Sequence, residues 1–124
     1  MTLPFQISLR ADDAGCHVRC VGELDVASAR EYRSAVRSTV LGCATVHIDL
    51  ADISFVDSAG LRALILAHRD ATSAGQHVHY VALAPGVQRL LEITGLLDVF
   101  GLDDEAIGST ADEPLGSTAP APLG

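Results

Sequence analysis

Phe5, Ile7 and Leu9 alternate with polar residues, and a period of two predicts a first strand. Ala11 to Gly15 has the composition of a turn and His17 to Leu24 reads as a second strand, so the pair is expected to form an antiparallel hairpin. Gly22-Glu23-Leu24-Asp25 closes that strand. Ser28 with Glu31 three residues on reads as a capping box, and Ala29, Tyr32, Val36 and Val40 mark the buried stripe of a first helix ending near Gly42. His77 to Leu83 predicts a further strand. Pro85-Gly86 then turns the chain into a third helix carrying Val87, Leu90, Leu91 and Ile93, closed by Gly95. Leu97 to Leu102 reads as a last short strand.

The stretch around which the rest is arranged runs from Val46 to Ala71. Val46, Ile48 and Leu50 alternate as a strand, and Ile53, Phe55 and Val56 add a second apolar cluster. Leu61, Leu64, Ile65 and His68 then recur at helical spacing, with Arg62, Arg69 and Asp70 on the other face. The period changes at Asp57-Ser58. Asp57 suits an N-cap because its carboxylate accepts the free amide hydrogens of the first turn, and Ser58 becomes the first helical residue with its hydroxyl exposed. Gly75 is the expected stop.

Strands alternating with helices after a hairpin predict an α/β fold. It is a mixed, mostly parallel sheet of four to five strands with an N-terminal antiparallel hairpin and three main helices. From Gly108 onward Gly, Ser, Thr, Ala and Pro take over, Gly-Ser-Thr occurs twice and no apolar period remains. Residues 1–107 are therefore expected to form one domain and residues 108–124 a disordered tail. Asp103, Asp104 and Glu105 lead into Ala106-Ile107, at most one helical turn.

Composition narrows the choice. The 124 residues suffice for one modest core, and the formal net charge is −8 with all eight cations arginine. The absence of lysine excludes phosphate-loop NTPases, Schiff-base enzymes and lysine-dependent receiver domains. An acidic surface argues against nucleic acid as a partner, since neutralising phosphates requires a basic face. No apolar run approaches the roughly 20 residues that span a bilayer. Met1 to Arg10 has no charged start ahead of an apolar stretch, so a soluble, cytoplasmic protein without membrane contact is expected. Cys16, Cys20 and Cys43 fit a reducing compartment. Cys16 and Cys20 would lie about 13 Å apart along one strand, too far for a bridge, and read as buried free thiols, with Cys43 in a turn.

Three motifs occur in order: Gly22-Glu-Leu-Asp25 before a helix, Leu50-Ala-Asp-Ile-Ser-Phe-Val-Asp-Ser-Ala-Gly-Leu61 across the strand-to-helix turn, and Pro85 with Leu90-Leu91 ahead of Gly95-Leu96. Together they resemble the STAS-domain anti-sigma factor antagonists of bacteria. The likeness spans about Phe5 to Leu102, and Asp57-Ser58-x-Gly60-Leu61 is its most specific part. It implies a STAS-like fold, no enzymatic activity and no cofactor. It also implies an anti-sigma factor as partner, itself a serine kinase of the histidine-kinase ATPase superfamily, whose capture frees a sigma factor. Phosphorylation of Ser58 would end the interaction, and a serine phosphatase would reset it. The implied partner-binding residues are Asp25, Asp57, Ser58, Ala59, Gly60, Leu61 and Arg62, with Glu23 beside them on the rim. Ala59 departs from the family pattern, where a second Ser or Thr often stands, and leaves Ser58 the single acceptor in the turn. The family's C-terminal helix is short or missing, cut off at Gly108. A related role keeps the fold as an interaction module of a stress-signalling complex without kinase control.

Other chemistries fit less well. A serine hydrolase built on Ser58 would need glycine where Val56 stands, and His68 lies on the buried side of the helix, out of reach of the hydroxyl. A receiver-like domain needs an acidic pair at the end of the first strand, whereas Asp12-Asp13 sit in a hairpin turn. His77 and His79 share a strand face, but no Cys or carboxylate is placed beside them, so no metal site is expected. Glu23 and Asp25, as paired carboxylates, fit a loop rim better than acid-base work.

Overall fold

The computed structural model of the chain describes residues 4–102. Seven elements follow in order: β1 (Gln6–Asp12), β2 (Gly15–Leu24), α1 (Ala29–Ser38), β3 (Thr45–Val56), α2 (Ser58–Ser73), β4 (His77–Leu83) and α3 (Pro85–Ile93). The sheet has four strands in the order β1-β2-β3-β4, with β1 and β2 antiparallel and the other neighbours parallel. Tight turns join antiparallel strands, whereas parallel ones need crossovers, and α1 and α2 supply them.

The core lies on one face of this sheet. Val18, Cys20 and Leu24 of β2 and Val46, Ile48 and Leu50 of β3 are at most 1% exposed, and they pack with Tyr32, Val36 and Leu64 of the helices. Among the described residues no helix covers the other face, and none of Arg19, His47, His79 and Val81 on it is buried. Opposite Arg19 to Val21 of β2, β3 carries one extra residue between Asp49 and Asp52, and this bulge moves the core position from Leu50 to Ile53. That shift is why the sequence presents two apolar clusters where the structure has one continuous strand.

Several expectations are corrected. Leu97 to Leu102 is a run of turns and not a strand: Phe100 N–H donates to the Leu97 carbonyl at 3.2 Å and Leu102 N–H to the same carbonyl at 2.8 Å. Its apolar residues still serve the core, with Phe100 buried. Ser28 occupies the N-cap position of α1 but makes no cap bond. Its hydroxyl donates instead to the Glu23 carbonyl at 2.8 Å, and Asp25 accepts from the Ala27 and Ser28 amides. On α2 the buried residues are Gly60, Ala63, Leu64, Ala67 and Ala71, so the buried stripe is rotated toward small side chains; Leu61, Ile65 and His68 are only half-buried. A helix wedged between α1 and the sheet needs small residues for close approach, and alanine carries little weight in an apolar count. Ile93 of α3 is 72% exposed. The segments beyond Leu102, including the expected tail at 108–124, lie outside the described residues.

The cysteine expectation is also overturned. Cys16 is bonded to Cys43, with Cα atoms 5.7 Å apart, and only Cys20 is a free thiol, buried and pushed up to about 12 by its surroundings. The bond closes a loop of sequence separation 27, which in the chain-entropy description stabilises by about 3–4 kcal/mol. Cys43→Ser, or reduction with dithiothreitol, is expected to lower the melting temperature of the oxidised chain. An unchanged melt would show that the bond does not form in solution.

Candidate functional site

Leu24 and Val56 end β2 and β3 as register partners, so the loops that follow emerge side by side. One loop carries Asp25 and the other carries Asp57 and Ser58. The Asp57 N–H donates to the Leu24 carbonyl at 3.3 Å, which ties the second loop to the end of β2. The backbone of Asp57 is extended (φ −99°, ψ −172°), as an N-cap requires, and its Oδ1 accepts the Gly60 N–H at 2.8 Å. Its carbonyl accepts the Leu61 N–H at 2.8 Å, so the helix starts cleanly at Ser58. Ser58 is exposed.

The residues named from sequence therefore assemble at one end of the sheet with different exposures. Ser58 and Arg62 are exposed, while Asp25, Asp57, Ala59 and Leu61 are half-buried. Gly60 is the exception. It is buried, and a Cβ there would overlap the Leu24 carbonyl oxygen, so this residue positions the turn and offers no surface to a partner. The carboxylate of Asp25 is used locally, accepting from the Ala27 amide at 3.0 Å and the Ser28 amide at 3.2 Å. It shapes the neighbouring loop. Glu23 pairs in register with Phe55 one step down the sheet.

Charge is unevenly spread beside the turn. Arg30, Arg33 and Arg37 of α1 face Ala59, Arg62 and Leu66 of α2 across a groove with a cavity of about 450 Å³. Four of the eight cations of an acidic chain thus meet in one place. Arg33 Nε donates to Asp70 Oδ2 at 2.8 Å and Arg37 reaches the same oxygen at 3.3 Å. Those bonds hold the Asp70 carboxyl below its usual range and raise the Arg33 guanidinium. Among the described residues Arg30 and Arg62 have no carboxylate partner, which leaves the end of the groove nearest Ser58 positive. Past the groove, the outward side of α2 carries Ser58, Leu61, Arg62, Ile65 and Arg69 along one shallow surface.

Sequence reasoning missed three contributors to this end of the molecule. Val26 is 78% exposed and Phe55 51% exposed, although both read as core by composition, and Arg30 sits on a different helix from Arg62. A second register shift, between Gly22 and Glu23 of β2, hid Phe55, because a period of two counted from buried Ile53 points it into the core. Among the described residues no base is hydrogen-bonded to Ser58. His68 lies at the helix–sheet interface with Nδ1 2.8 Å from the Tyr80 hydroxyl, its pKa lowered by burial, and His77 and His79 start β4 opposite Thr45 and His47 at the far end of β3.

Comparisons with known proteins agree with this geometry. The family model described as "Mlab, STAS domain" matches residues 7–102. An anti-sigma-B factor antagonist of Bacillus subtilis is 26% identical over 104 residues, covering 84% of this chain and 95% of that one. One from Staphylococcus epidermidis is 28% identical over 88 residues, covering 70% and 82%. Among solved structures, an anti-sigma factor antagonist from Mycobacterium paratuberculosis superposes with a TM-score of 0.70 at 24% identity, covering 82% of this chain and 86% of that chain.

Proposed function

The chain belongs to the STAS domain family, and from that premise we propose that it is an anti-sigma factor antagonist whose docking is controlled by phosphorylation of Ser58. The partner is an anti-sigma factor acting as a serine kinase of the histidine-kinase ATPase superfamily, and its capture releases a sigma factor. A serine phosphatase returns the protein to the binding form. Because the kinase consumes ATP, the proposed location is the bacterial cytoplasm; among the described residues no helix is long and apolar enough to cross a membrane. The protein is read as a binding module and not an enzyme, since among the described residues no base is hydrogen-bonded to Ser58 to activate it.

The observation that carries this proposal is an exposed hydroxyl on the first residue of α2, held by a cap that does not use it. Two curated relatives named anti-sigma-B factor antagonists lend support to the antagonist part of the reading. A phosphate at a helix N-terminus meets amide hydrogens and the positive end of the dipole, so the fold tolerates it. The same group adds about −1.5 to −2 of charge next to Asp57, in the middle of the docking face.

The direct test mixes the purified chain with its candidate anti-sigma kinase and ATP. A complex should form on size-exclusion chromatography, a mass gain of about 80 Da should appear at Ser58, and the complex should then dissociate. Modification without dissociation, or no complex at all, would refute the proposal. The arginine groove commits the partner to an acidic contact. Arg30→Glu with Arg62→Glu is expected to weaken the complex by about tenfold or more, and more steeply at low salt.

A further inference from the structure

On the open face of the sheet, far from Ser58, the register sets three histidines in one row: His17 of β2 opposite His47 of β3, and His47 opposite His79 of β4. The His47 and His79 rings stand at 74° with their Nδ1 atoms 3.3 Å apart. His47 Nε2 lies 3.0 Å from the Ala14 carbonyl. A carbonyl only accepts, so the neutral ring carries its proton on Nε2 and presents Nδ1 as a lone pair. Ligating histidines are oriented in this way, by a carbonyl or carboxylate bonded to the other ring nitrogen.

The spacing has a chemical meaning. Two nitrogens 3.3 Å apart, each bound at about 2.0–2.1 Å, subtend about 107° at a common metal, close to the tetrahedral angle. We propose that His47 and His79 form the seat of a divalent transition-metal site, with zinc as the reference ion, completed by His77 and water. His77 is exposed and lies two residues from His79 on the same strand face, so its ring can turn toward the pair. As the rings stand, no three His, Cys, Asp or Glu side chains among the described residues converge on one point, and the third ligand must be recruited. His17 takes a different part. It stacks on His47 at a centroid distance of 4.7 Å and an interplanar angle of 15°, while its Nε2 is 2.9 Å from Asp12 Oδ1. Lone pairs lie in the ring plane, so a stacked ring cannot share the metal and instead buttresses His47.

Binding replaces the proton that the two Nδ1 atoms share. His79 moves its own proton from Nδ1 to Nε2, and no net proton is released from two neutral rings. Imidazole donors select zinc, nickel or copper over magnesium or calcium. The metal would clip β3 to β4 near their starts and leave the docking end free.

The test is a calorimetric titration of the oxidised full chain with zinc chloride at neutral pH, with cobalt absorption to report the coordination geometry and magnesium chloride as a control. One saturable site with nitrogen ligands is expected, together with no magnesium binding. His47→Ala and His79→Ala should each weaken zinc by at least about tenfold, and His77→Ala by less, with thermal melts confirming that each variant is folded. Absence of saturable zinc binding below about 1 mM, or zinc affinity in the His47 and His79 variants equal to that of the parent chain, would overturn the proposal.

Discussion

Gly60→Ala is expected to lower stability by about 2–4 kcal/mol and the melting temperature by on the order of 10–20 °C. The cause lies in the backbone. A Cβ on Gly60 would overlap the Leu24 carbonyl oxygen and come within 2.8 Å of its carbonyl carbon and 3.2 Å of Leu24 Cγ. Leu24 is fully buried at the end of β2, and its carbonyl also accepts the Asp57 N–H, so neither side of the contact can move alone. The first turn of α2 would have to lift off β2, and Ser58 and Asp57 would lift with it. Gly86→Ala is the internal control. It lies in the first turn of α3 with nothing within 4 Å of its would-be Cβ, and alanine there should be neutral or stabilise by up to about 1 kcal/mol. Equal melting temperatures for the two variants would show that the Leu24 contact does not set the position of the turn.

Gly60 also marks the limit of what the sequence discloses. The Asp57 cap, the helix start at Ser58 and both ends of β4 follow from local chemistry and period, and the structure has them at the expected residues. What depends on contact across the chain was illegible. The stripe of Gly60, Ala63, Ala67 and Ala71 carries little hydrophobic signal, yet it lets α2 lie close to α1 and the sheet. Cys16 and Cys43 meet because β2 and β3 are parallel neighbours, a fact that no spacing rule contains. The groove joins Arg30, Arg33 and Arg37 of one helix to Arg62 of another, so arginines far apart in the sequence become one concentrated charge in space. His47 likewise reads as one more polar residue on a strand until register sets it opposite His79.

Ser58→Asp is expected to weaken binding to the anti-sigma partner by on the order of 10–100-fold, while Ser58→Ala stays within about threefold of the unmodified chain. The stability effect has the opposite sign. A carboxylate at the first helical residue sits at the positive end of the α2 dipole, where it contributes about 0.3–1 kcal/mol, so the Asp variant should melt at or slightly above the parent temperature. Folding and docking are thereby separated: Gly60→Ala should damage both, whereas Ser58→Asp should damage docking alone. Arg62, one turn along α2 and exposed, adds a third arm. If the new charge acted only by occupying Arg62, then Arg62→Ala should weaken binding as much as Ser58→Asp, and the double variant should be no worse. If repulsion at the partner surface dominates, as the neighbouring Asp57 favours, the two losses should add. The partner's dissociation constant for the four proteins, measured at one salt concentration, decides between these cases. Full binding by Ser58→Asp would end the case for a phosphate-operated gate at this turn.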